Sequence, residues 1–169
     1  MDTSFNLYVL QSNSCDLLSV NIYKDDKNKK RYVDINNANI YLKILKINHL
    51  RSHVCSIKGV GDSDKSNLKL WKVIGVKSKD IKEQNISTEE DIVRKLEGEE
   101  MELDEPFSTY FQDELDKLDR DEDYEPVSSI ITIISATGKC LPMFLSNKKF
   151  SVETMIHISS FINNIEYAF

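Results

Sequence analysis

The run Ser128-Ser129-Ile130-Ile131-Thr132-Ile133-Ile134-Ser135 constrains the fold more than any other part of this chain. Apolar residues fill successive positions rather than alternate ones, and Pro126 and Gly138 bound the run. A strand of that composition is buried on both faces, so the sheet that holds it needs cover on two sides. The 169 residues fit one domain, or a small domain with an appendage. A chain of this size buries roughly two-thirds of its extended-state surface and folds without disulfides or metal.

Upstream, Phe5 to Leu10 and Leu17 to Tyr23 are rich in β-formers, and the polar stretch Gln11 to Asp16 separates them. Two such runs joined by a polar turn predict an N-terminal hairpin. Residues 24–31 form a hydrophilic, lysine-rich loop, for which solvation is the plainest role and an anion-binding patch the sharper one. From Asn36 to His53 the spacing of Ile40, Ile44 and Ile47 predicts the main helix, with Asn36 or Asn37 as its cap. Lys58 to Asp64 is turn-rich. Leu68-Lys69-Leu70-Trp71-Lys72-Val73 then alternates as a third strand and carries the only tryptophan. Leu68, Leu70 and Lys72 fall on one face, and Lys69, Trp71 and Val73 on the other.

Charge is distributed unevenly. Residues 80–125 hold 19 acidic and 5 basic side chains, whereas the rest of the chain holds 9 acidic and 17 basic. Such a stretch is expected to be a solvated, partly mobile insertion, or else a docking surface for a basic partner steered by the local field. Within it, Ser87-Thr88-Glu89-Glu90 predicts a capped short helix with Ser87 as cap, Glu90 reaching back, and Ile92, Val93 and Leu96 as its apolar edge. Pro106 opens a second short helix expected to end near Phe111. Gln112 to Pro126 is expected to be loop.

Residues 136–169 differ in character: a linker is followed by a helix over 151–167, capped by Ser151 and apolar over much of its girth. Packing on the domain, opening something larger, and meeting another copy of the chain are the three uses expected of this helix. Cys15, Cys55 and Cys140 are an odd number without CxxC spacing, which argues against a disulfide framework. No segment approaches the length of an apolar membrane span, and the N-terminus lacks the basic start of a signal peptide.

No catalytic constellation emerges. His49 and His53 share a helix face and could offer two metal ligands, with Cys55 a third, but the glutamate of an HExxH motif is missing. Gly59 and Gly61 are a lone GxG without a phosphate-loop lysine. Asn85-Ile86-Ser87 is a glycosylation sequon, meaningful only on the secretory route. No cofactor is implied.

The order of these pieces is that of a ubiquitin-like β-grasp. Phe5 to Leu10, LKLWKV at 68–73, LEGEEM at 96–101, FSTYF at 107–111 and the isoleucine run together resemble the N-terminal header of Crinkler-type effectors over roughly residues 4–135. The third strand has a Leu-Trp-Lys form similar to fungal members rather than the Leu-Phe-Leu-Ala-Lys of the oomycete branch. The resemblance implies an α+β domain at 1–135, with a mixed sheet, one main helix and parallel first and last strands. It also implies a secreted, host-cell module for trafficking or protein–protein interaction, with no enzyme activity and no direct nucleic-acid contact; the missing signal peptide makes a cytoplasmic protein the alternative. Interaction residues would be Trp71, Lys69, Glu97, Glu99, Glu100, Tyr110 and Phe111. The competing readings are a small metal-dependent hydrolase built on His49, His53 and acidic residues, and an adaptor that oligomerises through 151–167.

Overall fold

A computed structural model describes residues 3–11, 14–120 and 128–134. The chain divides into two units, Met1–Thr137 and Gly138–Phe169. The expected helix over 151–167, His157 and Cys140 lie outside the described residues.

Among the described residues, seven strands and five α-helices make a mixed α+β domain with one seven-stranded sheet. The strands are β1 Thr3–Gln11, β2 Ser14–Lys24, β3 Arg31–Ile35, β4 Ala38–Tyr41, β5 Leu70–Ile74, β6 Glu99–Met101 and β7 Ser128–Ile134. The helices are α1 Ile47–Lys58, α2 Asp62–Lys65, α3 Ser78–Glu83, α4 Glu89–Leu96 and α5 Phe107–Asp119. Strand order is β4-β3-β2-β1-β7-β5-β6. The isoleucine strand β7 is interior, parallel to β1 with Leu7 opposite Ile130 and antiparallel to β5 with Trp71 opposite Ile131.

The sheet is buried on both sides because its central strands carry apolar residues at consecutive positions. Leu7, Val9, Leu70 and Ile130 pack on one face with Ile47, Leu50 and Val54 of α1 and Phe107, Phe111 and Leu118 of α5. Tyr8, Leu10, Trp71, Val73 and Ile131 pack on the other with Ile81, Ile86, Ile92 and Leu96 from the α3–α4 region. Ile130, Ile131 and Thr132 are fully buried. The Thr132 hydroxyl reaches no solvent and donates to the Lys69 carbonyl at 2.6 Å, as a buried polar group requires. The alternation expected of β5 holds: Leu68 and Leu70 enter one core, and Trp71 and Val73 the other.

Three expectations need correction. The helix expected over 36–53 is instead a hairpin followed by a later helix. Asn36 and Asn37 both adopt left-handed backbone (φ 53° and 62°), the geometry of a two-residue type I′ turn, and asparagine tolerates it better than other side chains. They therefore join β3 to β4 and cap nothing. Helix α1 starts at Ile47, where the Lys46 N–H donates to His49 Nδ1 at 3.0 Å, and ends at Gly59 in the left-handed region (φ 64°). Its buried stripe is Ile47, Leu50, Val54 and Cys55.

The acidic insertion is the second correction. Its described part forms α3, α4, β6 and α5, because Ile81, Ile86, Ile92, Phe107 and Leu118 recur at spacings that anchor it to the sheet. Helix α5 does not stop at Phe111; that residue leaves helical geometry (φ −126°, ψ 26°), and the chain resumes helix to Asp119. The cap of α4 is the third. Thr88, not Ser87, is the cap: the Asp91 N–H donates to Thr88 Oγ1, and the Thr88 N–H to Asp91 Oδ2, both at 3.1 Å.

At the other end of the sheet, Tyr23, Tyr32 and Tyr41 lie side by side in register across β2, β3 and β4. Tyr23 and Tyr32 stack at 5.4 Å, and Tyr41 meets Tyr32 edge-on at 6.2 Å. Cross-strand aromatic pairs of this kind stabilise short hairpins. Tyr41 also donates its hydroxyl proton to Asp25 Oδ2 at 2.9 Å, which ties the 25–30 loop to the strand.

Candidate functional site

The segments singled out in the sequence converge at the β5–β6–α5 end of the sheet. Strand β6 is the edge strand, and its register sets Leu70 opposite Met101, Trp71 opposite Glu100 and Lys72 opposite Glu99. Lys69 reaches across to Glu100 at 3.1 Å and to Glu89 of α4 at 3.5 Å. Lys72 points to the opposite face. Its ammonium donates to the Tyr110 carbonyl and lies 5.1 Å from the centre of the Phe111 ring. Tyr110 is held in turn, since its hydroxyl accepts the Glu102 N–H at 2.8 Å. A side chain donating into a helix at this point accounts for the kink at Phe111.

Gly98 sits tightly between α4 and β5. A Cβ on it would lie 2.5 Å from Ile92 Cγ2 and 3.4 Å from Val73 Cγ1, so only glycine lets β6 leave α4 this tightly. Glu97, immediately before it, closes α4 in the left-handed region (φ 51°).

Of the seven residues expected to contact a partner, two are inside the protein. Trp71 is 1% exposed and Phe111 3%. Both sit in the core and shape the site from beneath, so packing is the role that their burial supports. Glu97, Glu99 and Glu100 are exposed, Lys69 is exposed and ion-paired, and Tyr110 is half-buried. Glu102, Asp104 and Glu105 extend the same acidic rim along the loop to α5. The β5–β6 pairing ends at Met101, so these three continue the rim beyond the strand.

Hydrogen bonding to Glu100, with the nearby Glu89 charge, raises the Lys69 ammonium above its ordinary value. Asp91, at the start of α4, is depressed well below the carboxylate range by Lys95, which it meets at 2.7 Å, and by backbone donors at the cap.

His49 and His53 share α1, and the Nδ1 of each has a local partner. His49 Nδ1 caps the helix, and His53 Nδ1 lies 3.2 Å from Asn36 Oδ1. Burial lowers the His53 pKa, with Asp34 opposing the shift. Cys55 is a buried free thiol and Cys15 a half-buried one. Among the described residues, no three His, Cys, Asp or Glu side chains are grouped to hold a metal, and no helix is long and apolar enough to cross a membrane.

A second concavity lies on the opposite face, between the β1–β2 end and the α3–α4 connection. It encloses about 570 Å³ and is lined by Leu10, Gln11, Ser14, Cys15, Ile81, Lys82, Asn85, Ile86, Ser87 and Ile133.

No protein-family model, curated protein or solved structure matches the chain.

Proposed function

We propose that this domain is a non-enzymatic protein-interaction module with a β-grasp core, of the kind that heads Crinkler-type effectors, and that it docks a basic protein surface through the β6 rim. The observation that carries the reading is the set of exposed carboxylates at Glu97, Glu99, Glu100 and Glu102 on a sheet edge, fixed from below by Lys72, Trp71 and Gly98. Opposite charge at a rim raises association rate and selects partners. The β-grasp reading draws support from the parallel β1–β7 pair flanked by β2 and β5, with α1 packed on one face. The β3–β4 hairpin and the helical cover on both faces are additions to that core.

A protein of this kind acts in trafficking or recognition inside a host cell. The test is affinity capture from host lysate with the full chain and with a Glu99→Lys/Glu102→Lys variant, at low and high salt. Capture of a basic protein that is lost on charge reversal and weakens with salt supports the proposal. An identical set of captured proteins for both chains overturns it.

The hydrolase alternative has less support, because among the described residues no group of three His, Cys, Asp or Glu side chains forms around His49 and His53. Stoichiometric zinc or manganese in purified protein, with a thermal shift on its addition, would favour it instead.

A further inference from the structure

We propose that the 570 Å³ cleft between the β1–β2 end and the α3–α4 connection binds a small amphipathic carboxylate, its apolar chain on Leu10, Ile81, Ile86 and Ile133 and its carboxylate at the Lys82 ammonium. This cleft shares no residue with the acidic rim. The volume falls within the range of roughly 300–1,000 Å³ that small-molecule sites occupy. The floor is aliphatic: Leu10, Ile81 and Ile86 belong to the same buried core as Trp71, and Ile133 packs against it. The walls supply neutral hydrogen-bonding groups, and one cation.

Charge complementarity selects the ligand's head group. The whole chain carries a net charge of −6, yet the lining contains Lys82 and no carboxylate. Neighbouring acids are committed elsewhere: Asp16 to Lys58, Asp80 to the Lys77 N–H, and Asp91 to Lys95 and the α4 cap. Lys58, Lys65, Lys69 and Lys95 each meet a carboxylate. Lys82 has no ion pair among the described residues, and its charge is felt at the Cys15 thiol across the cleft. Burial pushes that thiol above its ordinary pKa, and Lys82 works against the shift. An aliphatic floor with a single unpaired ammonium fits an apolar chain ending in one negative charge. A neutral or cationic amphiphile would leave that ammonium without a counter-charge.

Cys15 is a built-in reporter. The full chain would be treated with iodoacetamide, with and without octanoate, and Cys15 modification followed by peptide mass spectrometry, which separates it from Cys55 and Cys140. Octanoate binding would be measured in parallel by calorimetry on wild type, Lys82→Gln and Lys82→Glu. Saturating octanoate is expected to slow Cys15 alkylation at least tenfold, and Lys82→Glu to weaken octanoate binding at least tenfold, with Lys82→Gln between the two. Octanol and octylamine are expected to protect at least tenfold less well at equal concentration. Unchanged alkylation, equal protection by octylamine, or undiminished octanoate binding to a folded Lys82→Glu chain would each overturn the proposal.

Discussion

The Lys72 ammonium donates to the Tyr110 carbonyl at the kink of α5 and lies 5.1 Å from the centre of the Phe111 ring. One side chain thus joins β5 to α5 at the turn that leaves helical geometry. Replacing it with methionine keeps the hydrophobic stem and removes the donor. Lys72→Met is expected to cost about 1–3 kcal/mol, the range for a hydrogen bond from a charged group, measured by urea denaturation. An unchanged midpoint would show that the kink is held by packing alone.

Trp71 is the largest fully buried side chain. Trp71→Ala should cost about 3–5 kcal/mol, since it empties the core between β5 and the α4 region. Its fluorescence should be blue-shifted and inaccessible to iodide in the native protein. Efficient quenching by iodide would place the ring at the surface.

Adjacent residues at the end of α4 should respond in opposite directions. Gly98→Ala drives a methyl group into Ile92 and should destabilise by about 1–3 kcal/mol, the usual cost of overpacking. Glu97→Gly relieves a left-handed backbone that costs a non-glycine residue roughly 1–2 kcal/mol. The gain is partly offset by the greater freedom of glycine in the unfolded chain. Thermal melts of the two variants should therefore fall on either side of wild type.

Stability should decline as pH falls through the histidine range. Burial lowers the His53 pKa in the folded state, so below the ordinary imidazole value of about 6.5 the unfolded chain binds the proton more readily. The His53 contribution is complete above that value and is lost as pH falls toward and through the depressed folded value. Melting temperatures measured from pH 7.5 to 5.5 should drop, and His53→Gln should flatten the slope. A slope that the substitution leaves unaltered would assign the pH dependence to other groups.

The sheet centre was legible because burial on both faces leaves an unmistakable mark: five consecutive residues at 130–134 with no charge among them. The alternation of LKLWKV was equally plain. Residues 36–41 misled because asparagine serves two purposes. It caps helices by accepting a hydrogen bond, and it turns hairpins by tolerating positive φ; Asn36 and Asn37 do the second. The isoleucines that suggested a helical face at 40, 44 and 47 are split between a strand, a short 3₁₀ turn and the first residue of α1. The acidic segment misled in another way. Its charge drew attention from the sparse apolar residues that fix it, and only the fold shows Ile81, Ile86, Ile92, Leu96, Met101, Phe107, Phe111 and Leu118 buried beneath its four elements. The rim was partly readable as Glu97, Glu99 and Glu100, while the cleft was not, since its lining comes from five separated stretches: 10–11, 14–15, 81–82, 85–87 and 133.

The parallel pairing of β1 with β7 has a kinetic consequence. Leu7 waits for Ile130, so during synthesis the apolar flank of β1 has no sheet neighbour until nearly the whole domain has left the ribosome. Folds governed by such distant contacts form slowly, and an unpaired apolar strand is prone to aggregate meanwhile. A chain truncated after Arg120 would leave both β1 and β5 with a bare edge. Such a fragment is expected to collect in inclusion bodies rather than accumulate as a smaller folded protein.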